Sequence, residues 1–180
     1  MSFSFPKSKR GYAPAEVDAF IEQARRQFSH PGDTVITSKD LRRTQFQLVK
    51  GGYSVSAVDA AIDRLEDAFA KNEIERAEAL EGFSAIADRI LGVKASIAGR
   101  LVRPKNRRFD STGLILRGYD RKQVDRFLVS VQAHIDTGRE LDLNSVRRAV
   151  FKVKRGGYVE SQVDAYIDRV VELLHLELYR

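Results

Sequence analysis

The chain of 180 residues carries 31 Lys+Arg against 25 Asp+Glu, a formal charge of +6, and is 43% hydrophobic. This composition is globular and excludes a disordered chain, and the length suffices for one good core or two small domains without a metal or disulfide staple. Cysteine is absent, which excludes thiol nucleophiles, cysteine zinc sites and disulfide frameworks and suits a reducing cytosol. No apolar run approaches the roughly 18 residues of a membrane span, and residues 1–10 show no secretory segment. The expectation is a cytoplasmic protein that meets a membrane only peripherally.

In chain order, Phe5 and Gly11-Tyr12 precede a predicted helix over 13–29, with Pro14 at its first position, Glu16 two residues later, and Val17, Ile21, Ala24 and Phe28 as its apolar stripe. A short helix over 38–43 leads to Phe46 and Gly52-Tyr53. The next helix, 54–70, carries Val58, Ile62, Leu65 and Phe69. A further helix is expected over 73–101, with Leu80, Phe83, Ile86, Ile90, Val93 and Ile97 on one stripe and Pro104 beyond its end. The region from Asp63 to Glu81 is acidic, whereas Arg100, Arg103, Lys105, Arg107 and Arg108 form a basic linker. Phe109 and Gly118-Tyr119 introduce a helix over 120–136, with Val124, Leu128, Val131 and Ile135, for which Asp120 with Gln123 forms a cap. After a short helix over 144–148, Phe151 and Gly157-Tyr158 introduce the last, over 160–176, with Val163, Ile167, Val170 and Leu174.

The order Phe, Gly-Tyr, Val-Asp and aliphatic thus occurs four times, the Val-Asp pairs being Val17-Asp18, Val58-Asp59, Val124-Asp125 and Val163-Asp164. Arg42–Arg64 and Arg147–Arg169 share 13 identities in 23 positions, where unrelated segments share roughly one or two. The chain reads as a tandem duplication of motif pairs: 1–72, a connecting helix and basic linker over 73–104, and 105–180. The apolar steps of four, three and four are those of a helix seam. The expected fold is mostly α, with tandem helical repeats, short Gly-Tyr turns or hairpins, and parallel coiled-coil-like helix pairs that form pseudo-dimers. The motif glycines are expected to take positive φ in tight turns, with each Phe beneath the Tyr of its own turn.

Phe, a spacer, Arg-Gly-Tyr and then Val-Asp with Phe-Leu on a heptad helix resembles the N-terminal domain of the DivIVA/GpsB family of bacterial division proteins. Leu116-Arg117-Gly118-Tyr119 through Val124-Asp125-Arg126-Phe127-Leu128 carries the match best. Tandem arrays of this kind look like actinobacterial DivIVA-domain repeat proteins. The resemblance implies a non-enzymatic cytoplasmic scaffold or adaptor for cell division or polar growth, peripheral on the inner face of the cell membrane at septum or pole. It also implies membrane contact through the loop before Gly-Tyr, where only the third copy keeps a large apolar residue with Arg, in Leu116-Arg117.

Two candidate surfaces follow. The membrane candidates are Ile115, Leu116 and Arg117, with Arg103, Lys105, Arg107 and Arg108 as a basic collar for anionic lipid; the alternative puts Leu114 and Leu116 in the core. The resemblance further implies a groove in which a motif Asp and an acid one turn later grip an arginine from a partner's tail. Its candidates are Asp59 and Asp63 with Tyr53, Asp164 and Asp168 with Tyr158, and Asp18 with Glu22. Catalysis finds no support. His30, His134 and His175 sit at unequal motif positions, and Lys50-Gly51-Gly52 lacks the spacing of a phosphate loop, so neither metal nor cofactor is expected. Nucleic-acid binding through the basic 100–122 region is the alternative function. The chain is expected to be a monomer or weak homo-oligomer.

Overall fold

A computed structural model describes residues 4–29 and 36–180; His30 lies outside the described residues. The chain divides into two units, Met1–Arg76 and Ala77–Arg180. It is mostly helical. The first unit holds β1 (Lys7–Tyr12), α1 (Pro14–Ser29), α2 (Ser38–Arg43), β2 (Leu48–Lys50) and most of α3 (Val55–Glu81). The second holds α4 (Phe83–Leu101), β3 (Arg117–Tyr119), α5 (Arg121–Thr137), α6 (Leu143–Arg147), β4 (Val153–Arg155) and α7 (Glu160–Tyr179).

Local chemistry sets the helix ends. Thr37 caps α2: its hydroxyl accepts from Asp40 N at 3.2 Å, while Asp40 Oδ2 accepts from Thr37 N at 2.9 Å. Those bonds from Thr37 hold the Asp40 carboxyl below its ordinary value. Asp120 caps α5 by accepting from Lys122 N at 3.0 Å, and Asp142 caps α6 by accepting from Ser145 N at 2.7 Å. Gly138, at φ 67°, ends α5 in the left-handed conformation.

The helix expected over 73–101 is instead two helices. α3 continues to Glu81, and Gly82 at φ 87° breaks the chain before α4 begins. Leu80 and Phe83, at the break, are exposed, whereas Ile86, Ile90, Val93, Ile97 and Leu101 of α4 are buried. In the second unit α7 is the central helix, lying against α4, α6 and β3. It therefore buries Tyr166, Val171, Leu173 and Leu176 in addition to Val163, Val170 and Leu174 of its sequence stripe. Lys94 Nζ and His134 Nε2 meet Glu177 at 2.7 and 2.8 Å. Burial pushes the Glu177 carboxyl up, but these two partners outweigh it and leave it below the ordinary range. In the first unit Val17, Ile21 and Ala24 of α1 share one core with Leu41, Tyr53, Val58, Ile62 and Phe69.

Among the described residues each unit contains one two-stranded antiparallel sheet that joins two motif copies. Arg10, Gly11 and Tyr12 pair with Lys50, Val49 and Leu48; Arg117, Gly118 and Tyr119 pair with Arg155, Lys154 and Val153. Here the role expected of the motif glycines is corrected. Gly11, Gly52, Gly118 and Gly157 do not take positive φ; only Gly51 and Gly156, one residue earlier in two copies, do, at 71° and 64°. The motif glycines are needed because backbones meet. A Cβ on Gly11 would collide with the Tyr53 carbonyl oxygen, one on Gly118 with that of Tyr158, and one on Gly157 with that of Gly118.

Two glycine substitutions are expected to act in opposite directions. Gly118→Ala must part the strands and should cost about 1–3 kcal/mol or more. Gly99→Ala adds a methyl in open space within α4 and should stabilise by about 0.5–1 kcal/mol. Urea denaturation of the two variants checks both signs.

Candidate functional site

The motif tyrosines pair across copies. Tyr53 Oη donates to Asp18 Oδ2 at 3.1 Å, and Tyr12 donates in turn to Asp59. In the second unit Tyr158 Oη donates to Asp125 Oδ1 at 2.9 Å, and Tyr119 to Asp164. The phenylalanines cross in the same way, which corrects their expected place beneath their own turn. Phe5 packs on Tyr53 with ring centroids 5.3 Å apart, Phe46 on Tyr12 at 5.4 Å, Phe109 on Tyr158 at 5.3 Å, and Phe151 on Tyr119 at 5.4 Å. Each Tyr is thus held by the Phe and the Asp of the other copy. Burial foremost, with the aspartate partner, pushes the Tyr158 and Tyr119 hydroxyls up to about 12.

This arrangement re-sorts the acidic candidates. Tyr53 lies with Asp18 rather than with Asp59 and Asp63, and Tyr158 with Asp125 rather than with Asp164 and Asp168. Both oxygens of Asp125 are engaged, since its Oδ2 also accepts from Asn106 N at 2.7 Å. Asp59, Asp63, Asp164 and Asp168 all have partners within the chain. Glu22 is exposed. Arg42 turns to the buried Glu66, 2.7 Å away.

The membrane candidates separate into two environments. Leu114, Ile115 and Leu116 project from the turn before β3, 92%, 86% and 67% exposed, so they do not fill the core. Arg117 beside them and Lys154 and Arg155 on the facing strand are exposed too. Gly113, at φ 76°, starts this turn, and Gly156 N donates to Leu116 O at 3.1 Å to close it. Arg103, Lys105 and Arg107 are exposed, but Arg108 is only 5% exposed and so leaves the surface collar. The cause is a tight turn: Arg107 N donates to Pro104 O, Asn106 adopts φ 64°, and Phe109 is drawn onto Tyr158 and Tyr166.

Arg121, read in the sequence only as one base of the 100–122 region, ties this part of the structure together. Arg121 donates from Nε to Gly156 O at 2.7 Å and from Nη1 to Asn106 O at 3.0 Å, and stacks 5.6 Å above the Tyr158 ring. Its position one residue after an N-cap gave no signal of that reach. Gln123, read as a capping partner, instead accepts from Lys152 N at 2.7 Å, as Glu16 does from Gln47 N at 2.8 Å. Both link one copy to the backbone of the other. The 100–122 bases do not share one open face, because Arg108 is buried and Arg121 is engaged. Among the described residues no group of three metal-ligating side chains occurs, and no helix is long and apolar enough to cross a membrane. Comparison with protein families, with curated proteins and with solved structures finds no match.

Tyr158→Phe removes the bond to Asp125 and the acceptor of Arg108 N, 3.2 Å away, and should cost about 1–3 kcal/mol at neutral pH. The raised Tyr158 value favours the neutral phenol in the folded state, so its contribution is complete below the ordinary value of 10.0 and is lost as pH rises toward about 12. Urea midpoints against pH should therefore fall less steeply for the variant than for wild type between those values.

Proposed function

We propose that the protein is a non-enzymatic scaffold or adaptor of the DivIVA kind, serving cell division or polar growth from the inner face of the cell membrane. The observation that carries this reading is the exposed apolar tip Leu114-Ile115-Leu116 with Arg117 and Arg155 beside it. Three large apolar side chains held in water by a closed turn favour transfer into a lipid interface, and the bases favour an anionic one. Insertion contributes about 2 kcal/mol per leucine and each base near the surface about 1 kcal/mol, so binding is reversible. Flotation with anionic vesicles tests it: wild type should float, Leu116→Asp should not, and neutral vesicles should recover little of either. Equal flotation of both chains would remove the tip from the mechanism.

Within the same reading each unit is an intramolecular pseudo-dimer, the helices after two Gly-Tyr motifs lying side by side. The crossed Phe–Tyr–Asp contacts support this, as does Phe28 of α1 against Phe69 of α3 at 5.5 Å, one seam position from each copy. A protein that satisfies its seams internally has no need of a second chain. Sedimentation equilibrium is expected to give one chain per particle at micromolar concentration, and a tight dimer would contradict the pairing.

A further inference from the structure

Arg108 is 5% exposed, and its Nε and Nη1 are enclosed without any hydrogen-bond partner. Among the described residues no carboxylate meets its guanidinium. Its immediate surroundings add positive charge: Arg100 donates from Nη1 to the Arg108 carbonyl at 3.1 Å and lies 5.0 Å over the Phe109 ring. Burial first, then the nearby Arg103, lower the Arg100 pKa, with Asp110 and then Tyr166 acting against them. Asp110 is itself held by Gln162 Nε2 at 2.8 Å. Tyr166, 7% exposed, faces both Arg100 and Arg108 and offers a hydroxyl rather than a negative charge. An enclosed guanidinium without a counter-charge is strongly unfavourable unless an anion completes it. A guanidinium fork matches the oxygens of a carboxylate or a phosphate, and the surplus of arginine charge in this turn favours the doubly charged phosphate.

We propose that the turn from Arg100 to Arg108 is a binding site for a phosphate group, with Arg108 as its buried anchor, Arg100 beside it and Arg103 at the exposed edge. The site is separate from the apolar tip and does not depend on it. The phosphate is either free, as inorganic phosphate or a small phosphomonoester, or the headgroup of an anionic lipid.

The test uses the whole chain and inorganic phosphate, followed by thermal unfolding against chloride at equal ionic strength. Phosphate should raise the wild-type midpoint in a saturable way that chloride does not reproduce. Arg108→Met, which keeps the stem and removes the charge, should be at least as stable as wild type without phosphate and should bind phosphate about tenfold or more weakly. Arg103→Gln, exposed and neutral to folding, should also weaken binding, and it keeps the test readable if Arg108→Met does not fold. Leu116→Asp should leave the phosphate response intact, which separates failure of this site from failure of the lipid tip. If free phosphate has no effect but vesicles containing phosphatidic acid bind in an Arg108-dependent or Arg103-dependent manner, the source is a headgroup and the site stands. No response to either source, or equal responses in wild type and both arginine variants, overturns it.

Discussion

The crossed contact of one copy's Tyr with the other copy's Phe and Asp is the constraint on which each unit depends. A tyrosine buried alone would leave its hydroxyl unsatisfied, at a cost of about 1–3 kcal/mol. Giving that hydroxyl to an aspartate in the first turns of the other helix satisfies it only when two motifs stand together. The strand pairing follows from the same requirement. To bring Tyr53 to Asp18 and Tyr12 to Asp59, the chains at Gly11 and Gly52 must approach until no Cβ fits between them. Glycine at these positions is thus a consequence of the tyrosine contact, and the short sheets are its by-product.

With this junction in place in both units, the helices beyond it diverge. On α3, Glu66 is buried and paired with Arg42, whereas the corresponding position of α7 is the buried Val171. The counterpart of Arg42, Arg147, instead meets the buried His175, 3.3 Å from its Nη2. α7 can be apolar around so much of its circumference because α4 and α6 lie along it. One motif therefore supports both a helix with a charged buried pair and a helix embedded among neighbours.

The helices were legible because their apolar residues recur with helical spacing, and Val17, Val58, Val124 and Val163 are all buried where the stripe puts them. The break at Gly82 was not, since Leu80 and Phe83 extend the same periodic pattern across it although both face solvent. Hairpins were expected at the Gly-Tyr turns, but the pairing of strands between copies escaped notice because three of the four described strands span only three residues, too short for alternation to register. Crossing could not be read at all: the same order of Phe, Gly-Tyr and Val-Asp in every copy allows a Tyr to meet its own Phe or its neighbour's, and only the paired backbones choose. Burial of Arg108 was hidden for a different reason. A base among four others reads as surface, and the turn that folds it inward depends on Asn106 N reaching Asp125, 19 residues further on.

The same junction explains why one loop holds both three exposed apolar residues and a buried arginine. Phe109 is anchored on Tyr158, and Gly118 is pressed against the Tyr158 carbonyl, so both ends of the segment between them are fixed. The corresponding span from Phe5 to Gly11 is three residues shorter and runs on as strand β1. The extra residues of the second unit cannot enter a core that Phe109 and Tyr158 already fill, so the segment turns outward at Gly113 and carries Leu114, Ile115 and Leu116 into solvent. Just before Phe109 the opposite holds. Arg108 N donates to the Tyr158 hydroxyl, and the residue that provides that amide must follow the ring inward whatever its side chain. Exposure of leucine and burial of arginine are therefore two results of one anchoring, and both run against the preference of the side chains themselves.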